Sequence, residues 1–176
     1  MIFEEKQKLN LWWLYILFGI QAIIILSISF LGDTGMSLVE LQQIYYLPII
    51  VVIFIFLLAY FINQNYLLLY INNDGITYKY WPFSRTKKIT WNEIEKAYLR
   101  HYDALGEYGG WGFRYRLWFK WNDKAFLFDG DSVGLQIVLN NGKKLLFSTA
   151  KKEQLRQSLE TLKQKHQLLM IETDVR

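Results

Sequence analysis

Two long apolar runs open the chain, and a period-two alternation takes over after residue 65. Residues 11–31, "LWWLYILFGIQAIIILSISFL", are 21 residues without a charge, and residues 44–62, "IYYLPIIVVIFIFLLAYFI", are 19 more. At a rise of about 1.5 Å per residue the first run spans roughly 30 Å as a helix, the hydrocarbon thickness of a bilayer. A cleaved signal peptide would carry an apolar region of only about 7–15 residues ahead of a small-residue cleavage site, and this run has neither. Two uncharged runs of this length predict two transmembrane helices. Pro48 falls in the first turn of the second, where its missing N–H costs little. Gln21 is the one strongly polar residue within them, placed for an interhelical hydrogen bond. No ionisable group interrupts either run, so no proton relay or ion path is suggested.

Beyond Asn63-Gln64-Asn65 the pattern predicts strands. Residues 66–71 lead into Asn72-Asn73-Asp74-Gly75, and Asp-Gly between apolar runs signals a hairpin. Ile76, Tyr78 and Tyr80 then alternate with Thr77, Lys79 and Trp81 until Pro82. Residues 85–90, "RTKKIT", are polar on both faces, as in an edge strand defended by cations. Residues 94–102 and 124–129 are further strands, and Asp129-Gly130-Asp131-Ser132 is a turn cluster. Leu135, Ile137 and Leu139 alternate, and Asn141-Gly142 predicts a two-residue type I′ turn into 144–148. The period then changes: Leu155, Leu159, Leu162 and His166 form the stripe of an amphipathic helix over 150–167, with Thr149 as its N-cap. The expected order is two membrane helices in residues 1–65, then about seven or eight antiparallel strands and a closing helix in 66–176.

Charge sets the orientation. No Lys or Arg occurs between Lys8 and Lys79, and the connection 32–43 carries Asp33 and Glu40 without a cation. The positive-inside rule places both termini in the cytoplasm and that connection outside, giving a multi-pass protein of the cytoplasmic membrane. Trp12, Trp13, Tyr15 and Tyr60 at one end, with Tyr45 and Tyr46 at the other, fit interfacial belts. With no cysteine there is no disulfide framework and no thiolate chemistry.

The helical pair followed by "YLLLYINNDGITYKY", "ITWNEIEKA", "GGWGFRY" and "GLQIVLNNGKKLLFSTAKKEQL" resembles the membrane-anchored bacterial PH-like domain proteins over most of residues 1–165. The resemblance implies a bent antiparallel sandwich or partly open barrel capped by the C-terminal helix, an α+β domain used for binding and scaffolding, without catalytic residues. One strand too many is present for the usual seven, which leaves room for a hairpin within 111–129.

The stretch "EYGGWGFRYRLWFKW" asks for chemistry. Gly109, Gly110, Trp111 and Gly112 lack the Lys-Ser/Thr of a P-loop, and Tyr115 stands where a dinucleotide fingerprint needs its last glycine. Alternation assigns Trp111, Phe113, Tyr115, Leu117, Phe119 and Trp121 to one strand face and Arg114, Arg116 and Lys120 to the other, the glycines serving as a structural bend. From Tyr66 onward 18 Lys/Arg oppose 12 Asp/Glu, but the topology rule already expects cations there. Aromatics and arginines on opposite faces also disfavour a nucleic-acid platform. Two histidines, His101 and His166, in different elements make no metal site, and Asp129-Gly130-Asp131 lacks the later ligands of a calcium loop. Glu93 and Glu95 have no nucleophile or acid partner nearby in the pattern. No cofactor is implied.

The expectation is therefore a non-enzymatic membrane protein whose cytoplasmic domain is an interaction or scaffold module, with a protein partner or a second copy of itself. The alternative is a reader of anionic lipid headgroups through Lys79, Arg85, Lys87, Lys88, Arg114 and Arg116. A membrane enzyme would need carboxylates gathered from distant strands.

Overall fold

The computed structural model describes residues 2–9, 11–31, 46–118, 120–128, 132–166, 168 and 170–173, without the side chains of 29–31 and 166. The acidic connection, Tyr45, Phe119, the Asp129-Gly130-Asp131 cluster and the His166 side chain lie outside the described residues. The chain forms two compact units, Asn10–Gln64 and a sheet unit made of Met1–Leu9 with Asn65–Arg176.

In the first unit, helices α1 (Trp12–Leu31) and α2 (Tyr46–Asn63) pack on each other. Ala22 and Ala59 are buried while Ile23, Phe54 and Phe61 are exposed, so small side chains allow the approach and large apolar ones face outward. By length and composition α2 is able to cross a membrane, with a mean hydropathy of 2.5 and 6% of its length buried. Trp12–Ile28 is a shorter apolar helical stretch. Gln21 is exposed rather than turned toward α2, which corrects the interhelical role expected of it.

The sheet unit is discontinuous in sequence. Strand β1 (Phe3–Lys8) pairs antiparallel with β2 (Tyr66–Asn72), from Phe3 opposite Ile71 to Lys8 opposite Tyr66. The whole helical unit is thus inserted between two neighbouring strands, and the domain boundary expected at residue 65 does not hold for residues 2–9. After β2 come β3 (Gly75–Trp81), β4 (Lys87–Thr90), β5 (Ile94–His101), a five-residue helix α3 (Ala104–Tyr108), β6 (Gly112–Arg116) and β7 (Lys120–Leu127). Strands β8 (Val133–Leu139) and β9 (Lys144–Ser148), helix α4 (Lys152–His166) and β10 (Ile171–Glu172) complete the described elements. One sheet has the order β1-β2-β3-β4 and the other β10-β5-β8-β9-β7-β6. The expectation of wholly antiparallel strands fails at two pairs, since β7 runs parallel to β9 and β10 parallel to β5.

Both sheets contribute to one core. Leu67, Leu69, Ile76 and Tyr78 from the first sheet share it with Ala97, Phe126, Ile137 and Phe147 from the second. The Tyr78 ring lies 5.3 Å from Phe126 and 5.0 Å from Phe147, an aromatic seam between the layers. Leu155, Leu159 and Leu162 are fully buried in the same core, so α4 closes the sandwich with the stripe its sequence showed. Thr149 is not the N-cap. It lies ahead of α4, where its hydroxyl accepts from Lys151 N–H at 3.0 Å and donates to Glu5 at 2.7 Å.

Two turns differ in detail from the expected ones. The β2–β3 hairpin is held by the Asn72 side chain, which accepts from the N–H groups of Asp74 and Gly75 at 3.0 Å each. In the β8–β9 hairpin Gly142 N–H donates to Leu139 C=O at 2.8 Å, and Gly142 has φ 77°. That is a three-residue loop with glycine at the left-handed position, not a two-residue type I′ turn.

Candidate functional site

The aromatic stretch is a hairpin rather than one strand. Strand β6 ends at Arg116, Leu117 and Trp118 turn, and β7 begins at Lys120, with a register irregularity between Tyr115 and Arg116. The period-two faces hold along β6: Phe113 packs against the core, 5.2 Å from Phe126, while Arg114 is exposed. They fail beyond Arg116 because the turn resets the register, so Leu117 and Trp121 are exposed instead of buried; Trp111, ahead of β6, is exposed as well. Trp118 is 86% exposed and has φ 65°, a left-handed conformation costly for a bulky residue. The glycines enter as the bend expected of them. Gly109, Gly110 and Gly112 all have positive φ, and Gly109 ends α3 in the left-handed conformation, so the chain reverses around Trp111 into β6.

The six candidate cations fall into three places. The first is the end of the sandwich from which the chain runs to the helices, marked by Lys8 and Tyr66. Trp81 pairs with Tyr66 there, and the loop after it carries Phe83, 71% exposed, and exposed Arg85. Lys79 lies over the Trp81 ring at 5.2 Å. A side chain at Gly112 would touch Leu9, at 3.8 Å, so the beginning of β6, with exposed Trp111 and Arg114, belongs to the same end. Lys79, Arg85 and Arg114 are thus brought together with three exposed aromatics.

Arg116 is elsewhere and is engaged within the protein. It pairs with Glu107 at 3.0 Å and Asp123 at 3.4 Å. Glu107 also receives both Arg100 nitrogens, at 2.9 and 3.0 Å, a bidentate contact. Arg100 further donates to Tyr108 Oη at 2.9 Å and to Gln136 at 3.0 Å, and the Tyr108 hydroxyl donates to buried Asp123 at 3.2 Å. Burial pushes the Glu107 carboxyl up, but hydrogen bonds from Arg100 and the Asp103 N–H, with the Arg100 and Arg116 charges, hold it below its ordinary value. Burial and then the Asp123 charge push the Tyr108 hydroxyl well up, so it remains a donor. This network ties α3 and the β6–β7 hairpin to β5 and leaves Arg116 little charge to offer a ligand.

Lys87 and Lys88 form the third place. Their strand β4 borders a cleft of about 400 Å³ at the edge of the sandwich, shared with Lys124, Lys143 and Lys144. Lys88 pairs with Asp74 at 3.3 Å. The last three lysines escaped sequence reasoning because their convergence depends on the parallel β7–β9 pairing, which no local pattern announces. Among the described residues no group of three or more His, Cys, Asp or Glu could hold a metal ion. His101 is exposed at the end of β5. The Glu93 carboxylate accepts from Thr90 N–H and Oγ1, a capping box rather than a reactive pair. Comparison with protein-family models, with curated proteins and with solved structures finds no match to this chain.

Proposed function

We propose that this chain is a non-enzymatic, multi-pass protein of the cytoplasmic membrane, with both termini in the cytoplasm, whose sheet unit is a PH-like interaction or scaffold module. One observation carries the reading: an outward-apolar helical pair is spliced between two paired strands of a closed sandwich, so both chain connections leave from the Lys8–Tyr66 end. In favour of a PH-like module are the two layers with a common core and the C-terminal helix that closes it. The six-stranded second sheet and its two parallel pairs depart from the family pattern.

A second reading rests on the aromatic and cationic side chains at that same end. Trp81, Phe83 and Trp111 with Lys79, Arg85 and Arg114 suit a headgroup layer, where amphipathic rings settle and each cation contributes on the order of 1 kcal/mol against anionic lipid. The module then grips the bilayer that anchors it.

Topology is the test. The chain has no native cysteine, so single substitutions label cleanly. Ser37→Cys is expected to react with an impermeant maleimide in intact cells, and exposed Gln157→Cys only after lysis. The reverse pattern, or recovery of the chain in the soluble fraction, would overturn the reading.

A further inference from the structure

The end of the sandwich opposite the chain connections is built differently. Gly112 is beside Leu9, and β6 runs away from it to the Leu117–Trp118 turn. Partner strand β7 places Leu127 opposite Gly112, with Lys124 three residues further along and Trp121 beyond it. The lysine cleft and the hairpin tip therefore adjoin, sharing Trp121, on the side away from Leu9 and Tyr66.

Strand alternation shows how the lysines face. Lys87 is opposite Tyr78 and two residues before buried Ile89, so it shares their core-side face. Lys124 is two residues before Phe126, and Lys143 two before Leu145, both core residues. Strands β4 and β7 and the residue just ahead of β9 thus bring lysines to the lining of the mouth between the two sheets, where no carboxylate is among the described lining residues. Lys124 is half-buried and steadied over the Tyr115 ring at 5.3 Å. Beside the mouth, Trp118 and Trp121 are 86% and 64% exposed, and the left-handed backbone at Trp118 is accepted where glycine or asparagine would be cheaper.

We infer that this lysine mouth and tryptophan tip form a docking site for an acidic polypeptide segment that carries apolar side chains. The inference rests on the interaction-module reading and names the chemistry of the partner. Convergent ammonium groups call for carboxylates, and the adjoining indoles call for an apolar side chain between them. A second copy meeting the same face by two-fold symmetry would set lysines against lysines. The anchoring bilayer is served by the other end, where both connections leave.

The test uses the full chain in nanodiscs of phosphatidylcholine alone, titrated against a fluorescein-labelled dodecapeptide of alternating Glu and Leu. Saturable binding that weakens with added salt is expected. Lys87→Glu, Lys124→Glu and Lys143→Glu together should weaken it by about tenfold or more, and Trp118→Ala by roughly fivefold. Lys79→Glu with Arg85→Glu should leave it within about twofold, because those cations stand at the other end. Near-UV circular dichroism checks that each variant is folded, and the milder Lys→Gln set replaces any that is not. No saturable binding, or a triple variant within twofold of the parent, would overturn the inference. So would a triple variant that loses affinity only for phosphatidylserine vesicles, or one that turns a dimer into a monomer in sedimentation. If the chain fails to enter nanodiscs, the membrane reading falls, and the same titration on the soluble chain still decides the docking site.

Discussion

Strand β1 should be indispensable to the sheet unit, and Glu5 is where to test it. Glu5 is 2% exposed and its carboxylate accepts from Thr149 Oγ1 at 2.7 Å and Ala150 N–H at 2.9 Å, both at the entry to α4. Glu5→Ala leaves the buried Thr149 hydroxyl and the part-buried Ala150 N–H without that acceptor. A buried orphan costs about 1–3 kcal/mol, and because Ala150 is exposed and water can reach its N–H, the loss lies toward the lower end of about 2–6 kcal/mol. A domain of this size is stable by only about 5–15 kcal/mol, and each kcal/mol lowers Tm by about 3–6 °C. Because Lys8 is the direct partner of Tyr66, the helices can be excised and Leu9 joined to Asn65 through Asn-Gly, a turn suited to antiparallel neighbours. The rejoined protein should fold in water and melt cooperatively by near-UV circular dichroism, whereas residues 65–176 alone should not. In the rejoined protein Glu5→Ala should lower Tm by about 6 °C or more, while Glu4→Ala, on the solvent face of the same strand, should stay within about 0.5 kcal/mol. Equal melting of the two variants, or a cooperative transition in the 65–176 fragment near that of the rejoined protein, would show that β1 does not dock.

Leu159→Ala should cost about 2–5 kcal/mol by opening a cavity under α4, whereas exposed Gln157→Ala should be nearly neutral in the same melt. Arg116→Ala should destabilise by about 1–3 kcal/mol, because it strips buried Asp123 of its guanidinium, while Arg114→Ala should change stability by less than about 0.5 kcal/mol. Glu107 has a folded pKa below its ordinary value of 4.5, so the stability it contributes is present above that value and is lost as pH falls through the depressed one. Glu107→Gln should flatten that part of the acid limb of a Tm-against-pH curve, and an unchanged limb would refute the assignment.

How far the sequence could be read depends on how each element declares itself. The stripe of Leu155, Leu159 and Leu162 and the alternation of Ile76, Tyr78 and Tyr80 declare themselves through apolar side chains at a fixed period and became the expected helix and strand, and the two uninterrupted apolar runs both became helices. Strand β1 did not declare itself. Its inward positions are Phe3, Glu5 and Gln7, and two of those three are polar, so the alternation of burial is invisible as an alternation of hydrophobicity. Gln7 is satisfied by Ser148, whose carbonyl accepts from its amide nitrogen at 2.6 Å and whose hydroxyl donates to its amide oxygen at 2.6 Å. Partners that distant leave no local trace. The β6–β7 turn was hidden for the opposite reason: apolar residues continue in step through Leu117, so the period does not break where the chain does. Arg114 and Arg116 look alike in sequence, and only the fold sets one of them beside Glu107 and Asp123.

The same logic separates the two ends of the sandwich. If the proposed membrane reading holds, cations at the end where both connections leave would be kept near lipid by covalent attachment, since the chain itself supplies the local concentration. Lys79, Arg85 and Arg114 then need no built cavity, and individual contributions on the order of 1 kcal/mol suffice. Among the described residues no connection to the helical unit leaves from the opposite end, so the proposed binding there has to come from the surface itself. That is where the chain converges lysines from three strands and spends left-handed backbone on an exposed indole. If the tryptophan tip were only a turn, glycine or asparagine at position 118 would make a cheaper one.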